Sequence, residues 1–365
     1  MTPASRRLIA DCGGRITALA MTMPLRLLQP DQAAKATALG RLAASIPSDT
    51  TLYLMTDDPA HPDFTAWLAQ HALACNPIPI GAGADAPVLE SEMWTQDPWM
   101  AAERDEQLHI YYQTGTDRPG RQAAWFAAAR HVPLERPPLQ LAGGNTLTGP
   151  DFRILGVASV HMTQRVGTGH LTWAEALARH QALDARPISI FGFALPGAAQ
   201  ELRQQPSHLD LVLSLTGTVT AQGRPRLLLA DPRSGSTPDS PRTAGWADQL
   251  DATARQLDAN GFAVSRNLVP YVAHPAWSPN PNLRAYNNVL LENEIRPGRS
   301  RPLVWLPQFA DLEPELGGFD TANCAVWQEL GFEPVPIFGF SALVRAGGGI
   351  RCLSKVLQRS GNISP

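Results

Sequence analysis

The sequence predicts an α/β fold made of five helix–strand repeats set in a cycle, and three observations predict it. Proline-led apolar segments recur along the chain, a tryptophan-bearing helical pattern stands upstream of each, and a polar spot stands downstream. In chain order, the first repeat reads "DFTAWLAQHALA" with Trp67, then "NPIPIGAG" (76–83), then "WTQD". The second reads "AAWFAAARH" with Trp125, "HVPLERPP" (131–138) and "AGGN"; the third, "TWAEALARHQAL" with Trp173, "RPISIFGFALPG" (186–197) and "SHLD". The fourth has "GWADQLDATARQLDANGF" with Trp246, "NLVPYVAHP" (267–275) and "AYNN". The fifth has "CAVWQELGF" with Trp327, "EPVPIFGFSALV" (333–344) and "GGGIRC". Spacing supports the register: Ile80 to Asp97 is 17 residues, Ile190 to His208 is 18, and Ile337 to Cys352 is 15. The copies run from about residue 60 to 355, within one domain taken as 1–365.

A cyclic arrangement brings equivalent positions together near the axis. Helices then pack outside on their tryptophan faces, and polar strand faces line a central channel. On this reading "SHLDLVLSLTG" (207–217) is one strand. Leu209, Leu211, Leu213 and Leu215 face outward under a helix, while His208, Asp210, Val212 and Ser214 face the channel.

Composition narrows the function. The 365 residues are 44% hydrophobic and 17% charged with a net charge of −3, so neither nucleic acid nor an anionic membrane is an expected partner. No apolar run approaches the roughly 20 residues of a membrane span, and the N-terminus shows no signal peptide. The 33 prolines and 29 glycines imply many short elements joined by turns, and 231–245 reads as a mobile surface loop. Cys12, Cys75, Cys324 and Cys352 lie far apart with no metal-ligand spacing, which points to reduced thiols, no metal and a cytoplasmic setting. "GAGADA" (81–86) imitates a dinucleotide fingerprint but runs into Pro87 instead of a helix.

The polar spots hold the chemistry. A lone cysteine is ordinarily a small buried apolar residue. Here Cys352 follows a glycine run, His208 is available as a proton shuttle, and Asp97 and Asp210 converge as two carboxylates. Two carboxylates beside a thiol raise its pKa and repel an oxyanion, which disfavours ester or peptide hydrolysis. They suit a planar cation with several N–H donors, and a guanidinium is such a cation. Trp94 and Trp99 are candidates for the wall of the site.

"WTQDPW", "AGGN", "HLD" and "GGGIRCLS", in that order, resemble the guanidino-group-modifying (pentein) superfamily. Trp94-x-Gln96-Asp97 and the His208–Ser214 segment are most similar to the protein-arginine deiminases, and the resemblance covers roughly 50–360. It implies a five-bladed α/β propeller with pseudo-fivefold symmetry and an active site in the central channel. It implies Cys352 as nucleophile, His208 as general acid/base, and Asp97 and Asp210 as guanidinium ligands. Gly144, Asn145, Trp94 and Arg351 join the substrate-binding set, with no cofactor and no metal. Two departures stand out. Ala142 occupies a position where deiminases of free arginine and agmatine typically carry Glu, and Arg351 precedes Cys352 as in arginine deiminases. The N-terminal immunoglobulin-like domains and calcium sites of the animal enzymes are not found.

The activity so implied is deimination of arginine in a peptide or protein, giving citrulline and ammonia through a cysteine thiouronium. Alternatives are a deiminase or dihydrolase of free arginine or agmatine, an amidinotransferase, and a non-catalytic binding propeller. Arg118, Arg121, Arg284, Arg345 and Arg351 are the candidates for a substrate carboxylate or backbone carbonyl.

Overall fold

Each tryptophan-bearing segment forms a helix that leads into a short strand. The five pairs are Pro62–His71 into Ile78–Gly81, Arg121–Arg130 into Leu134–Glu135, Trp173–Leu183 into Ile188–Phe191, Pro241–Ala259 into Ala263–Leu268, and Gly317–Glu329 into Glu333–Ile337. Local chemistry sets their ends. Thr172 and Glu175 form a reciprocal capping box at the start of the third helix. Gly331, at φ 94°, takes the left-handed conformation that stops the fifth. Trp67 and Trp327 are buried against the sheets; Trp125, Trp173 and Trp246 are half-buried.

In the computed structural model, which describes residues 6–82, 88, 90–112, 121–166, 170–194, 202–204, 208–233, 241–272 and 282–361, these strands close one repeated pattern. An antiparallel pair comes first, then a helix, then a strand parallel to the second of the pair. Trp99–Arg104 and Gln107–Tyr112 pair in this way with Leu134–Glu135. Thr146–Thr148, Arg153–Gly156 and Ile188–Phe191 repeat it, as do Leu213–Val219, Pro225–Asp231 and Ala263–Leu268. Leu290–Leu291, Leu303–Pro307 and Glu333–Ile337 form the fourth copy. The fifth joins the two ends of the chain: Ser354–Arg359 runs antiparallel to Ile16–Thr22, which pairs in parallel with Thr51–Thr56, and Ile78–Gly81 extends it. Parallel partners cannot be joined by a tight hairpin, so every copy needs its helical crossover.

A continuous core of buried side chains runs from Cys12 to Val356 and includes Trp305, Trp327 and Phe340. Full burial of one such leucine or phenylalanine contributes about 1.5–3 kcal/mol. No helix among the described residues is long and apolar enough to cross a membrane.

Each polar spot immediately precedes the first strand of an antiparallel pair: Asp97 before Trp99, Asn145 before Thr146, Asp210 before Leu213, Asn288 before Leu290, and Cys352 before Ser354. The candidate residues therefore stand in turns at equivalent strand ends, and this corrects the reading of 207–217 as one strand. Leu209–Leu211 is a turn of 3-10 helix with His208 at its N-cap, and the strand begins at Leu213. The leucine alternation misleads because both sides are covered: Leu209, Val212, Leu213, Ser214 and Thr216 are all buried. The loop expected over 231–245 also ends early, since a helix begins at Pro241. Residues 83–86, Arg118, 195–197, Ser207, 234–240 and 273–275 lie outside the described residues.

Candidate active site

Asp97, Gly144 and His208 form one contact. The Gly144 N–H donates to Asp97 Oδ1 at 3.1 Å, and His208 Nδ1 lies 3.5 Å from the same oxygen. Glycine is required there, because a Cβ on residue 144 would stand 2.5 Å from His208 Nδ1 and 2.9 Å from Asp97 Oδ1. Asn145 follows Gly144 in the same short 3-10 turn. Its Oδ1 accepts from the Leu209 N–H at 3.1 Å and from Gln204 Nε2 at 2.5 Å, so it anchors the turn that carries His208 and Asp210.

Asp210, Arg351, Cys352 and Asn288 form a second, buried contact. Arg351 Nη1 donates to Asp210 Oδ2 at 2.7 Å, and the Cys352 S–H points at the same oxygen from 3.8 Å. Asp210 Oδ1 is buried without a hydrogen-bond partner among the described residues. Its surroundings push the carboxyl above its usual range: burial dominates, Asp97 adds to it, and Arg351 and His208 oppose it. An orphaned, buried acceptor of this kind costs free energy until a donor fills it.

The Cys352 thiol is pushed well above its ordinary value by burial, then by Asp210 and Asp97. All three favour the protonated thiol over the thiolate. Asn288 touches it most closely. Its Oδ1 accepts the Cys352 N–H at 3.1 Å, which fixes the amide orientation, since a backbone N–H can only donate. Its Nδ2 then faces Cys352 Sγ at 3.2 Å and the Asp210 carbonyl at 3.3 Å. Asn288 is the residue that sequence reasoning missed. The available signal was its place in "AYNN", the fourth equivalent polar spot.

Two further expectations need restating. Trp94 is half-buried and lies over the glycine run, where a Cβ on Gly348 would stand 2.5 Å from Trp94 Cζ3; it braces the turn before Cys352. Arg351, expected in the substrate-binding set, is spent on the protein itself. Its five N–H groups are all taken: Nε and Nη2 by Asp11 Oδ1 at 3.0 and 2.9 Å, Nη1 by the Gly143 carbonyl at 3.1 Å and Asp210, and Nη2 by the Thr146 carbonyl at 2.9 Å. A guanidinium offers no sixth donor, so Arg351 positions Asp210 and has nothing left for a ligand.

The two contacts are tied together by Gln96, whose N–H donates to the Cys352 carbonyl at 3.0 Å, and by the Gly143 carbonyl on Arg351. Access differs between them. The Asp97 and His208 side chains are each 27% exposed, whereas Asp210, Arg351 and Cys352 are buried. His208 and Asp97 are thus the solvent-facing members of the cluster, and Asp210, Arg351 and Cys352 the buried ones. Three carboxylates (Asp11, Asp97, Asp210) face a saturated Arg351 and the buried Lys355, and the acceptors still open at Asp97 and Asp210 suit a cation with N–H donors. Among the described residues no group of three or more His, Cys, Asp or Glu side chains could hold a metal ion.

No family model matches the chain, and no curated protein does. Solved structures match nearly all of it. The agmatine deiminase of C. jejuni is 10% identical, with a TM-score of 0.68 over 98% of this chain and 97% of its own. The agmatine deiminase of Enterococcus faecalis is 13% identical, with a TM-score of 0.66 over 98% and 99%. A protein provisionally named a peptidyl-arginine deiminase is 12% identical, with a TM-score of 0.67 over 98% and 99%. At these identities the likeness is one of fold.

Proposed function

From a chain with the α/β fold of the guanidino-group-modifying (pentein) enzymes, we propose that it hydrolyses a guanidinium to a ureido group and ammonia. The observation that carries this reading is the buried, unpartnered Oδ1 of Asp210 beside the Cys352 thiol. We read the five equivalent units as blades around an axis, with the turns bearing Asp97, Asn145, His208/Asp210, Asn288 and Cys352 meeting in a central channel. A guanidinium entering there donates to Asp97 and to Asp210 Oδ1. Its charge offsets the two carboxylates that hold the thiol protonated, and the thiol proton passes to His208. The thiolate adds to the guanidinium carbon, and His208 returns a proton to the departing nitrogen, which leaves as ammonia. His208 then takes a proton from water, hydroxide adds to the resulting S-alkylthiouronium, and collapse restores the thiol and releases the ureido product. Asn288 Nδ2 supports the sulfur while it is negative.

The arginines bear on substrate class. Arg121 pairs with Glu92 at 2.7 Å, Arg284 and Arg345 both pair with Glu313, and Arg351 is saturated. Among the described candidates, Arg345 alone keeps an unpartnered donor, its buried Nε; the others are engaged. With three of the four described candidates engaged, the substrate we infer carries its guanidinium on a chain without an α-carboxylate. Agmatine and an arginine blocked at both ends share that property. The likeness to two agmatine deiminases over nearly the whole chain favours the small amine; Ala142 and the neighbour named as a peptidyl-arginine deiminase favour the peptide, which moves to second place. Agmatine is expected to exceed free arginine in kcat/KM by about tenfold or more, because an unpaired desolvated carboxylate costs about 1–3 kcal/mol. Competing agmatine, blocked arginine and free arginine while measuring ureido product tests this. A preference for free arginine sinks the substrate class, and ammonia release only in the presence of an amine acceptor sinks hydrolysis.

Asp210→Asn should weaken agmatine binding by roughly 10–150-fold, since a hydrogen bond to a charged acceptor contributes about 1.5–3 kcal/mol. Calorimetry in a Cys352→Ala background, where no turnover occurs, reads the change. Unaltered affinity would remove Asp210 as a ligand.

A further inference from the structure

Lys355 has no part in the chemistry described so far, yet it lies under it. It sits on Ser354–Arg359, opposite Ala20 of the neighbouring strand, and is only 4% exposed. Its Nζ is 5.8 Å from the centre of the Trp99 ring and 3.2 Å from where a Cβ on Gly143 would stand. The ammonium thus reaches the underside of the turn that joins Asp97 to Gly143 and Gly144. No hydrogen bond holds Nζ among the described residues. The charged groups around it come from four segments: Arg351 from the cysteine turn, Asp11 from the N-terminal segment, Asp97 from the turn before Trp99, and Asp210 from the 3-10 turn. Trp99 and Ala20, on the strands packed against it, bring no charge. His208 faces Asp97 from the far side.

We propose that Lys355 is a positioning residue that shares Asp97 and Asp210 with the substrate cation and gives up its proton when that cation binds. This rests on the reading of the site as a guanidinium site. The two cations cannot both be compensated: a guanidinium on Asp97 and Asp210 takes over the carboxylate charge that keeps Lys355 protonated and adds a positive charge beside it. Burial and Arg351 already push Lys355 down to about 7, against the upward pull of the three carboxylates. A charged Lys355 repels the substrate, and a neutral one leaves the carboxylates to it. Affinity for the cation should accordingly fall as pH drops below about 7.

Calorimetry of agmatine binding to Cys352→Ala at pH 7, in buffers of different ionisation enthalpy, measures the proton release; removing the thiol removes its contribution. Release should be smaller in Cys352→Ala/Lys355→Met, and affinity should decline less steeply below pH 7. Equal release in the two proteins overturns the proposal and leaves the guanidinium site standing. Failure of both agmatine and blocked arginine to bind overturns the site itself. A second measurement needs no ligand. A lysine at about 7 in the folded chain and 10.5 in the unfolded one makes stability rise with pH between those values, because the unfolded chain then holds a proton the folded one has lost. The melting temperature of wild type should therefore gain on that of Lys355→Met across this interval. Parallel curves would overturn the proposal.

Discussion

Replacing Cys352 with alanine is expected to leave a folded protein that converts no guanidinium. The backbone around it does not depend on the sulfur: its N–H is held by Asn288 Oδ1 and its carbonyl by the Gln96 N–H. One small buried atom is lost, and the thiol whose charged form is suppressed by burial, Asp210 and Asp97 is lost with it. The stability change should stay at the low end of the range for core truncations, about 0.5–1.5 kcal/mol. In the proposed mechanism both carboxylates hold the cation, which leaves Cys352 as the group that forms the covalent intermediate. Assay of ureido product and ammonia alongside a thermal melt reads both parts. Measurable turnover by a folded Cys352→Ala protein would remove the covalent mechanism.

His208→Ala should lower kcat by about 10²–10⁴-fold, the usual contribution of a positioned general acid–base group. Its ring contacts only the Asp97–Gly144 pair among the described hydrogen-bond partners, and Asp97 keeps the Gly144 N–H when the ring is gone. Binding should therefore suffer far less than chemistry. The two half-reactions both need the imidazole, so slow ammonia loss should be followed by slow hydrolysis of the thiouronium, visible as a mass adduct on Cys352. Exogenous imidazole should restore part of the rate through the 27% exposed opening that His208 now fills. A loss below about tenfold would assign the proton transfers elsewhere.

Much of this architecture is written locally. The tryptophan-bearing helices, the proline-led strands and the polar spots each occupy fewer than about twenty consecutive residues, and propensity and turn chemistry act over that range. For that reason the five-part repeat could be read, and Asp97, His208, Asp210 and Cys352 proposed as candidates, from the chain alone. What tertiary structure decided are the roles that depend on partners far away in sequence. Arg351 looks like a free arginine beside a nucleophile until Asp11, Gly143, Thr146 and Asp210 exhaust its five donors. Asn288 is one polar residue in "AYNN" until the strand ends meet and put its amide on the sulfur, 64 positions away. Nothing in the sequence around Lys355 marks it; only the fold brings Trp99 and the Gly143 turn over it. The alternating leucines of 207–217 misled for a related reason: alternation reports which face is apolar, but when neighbouring units bury both faces it no longer distinguishes a strand from a turn.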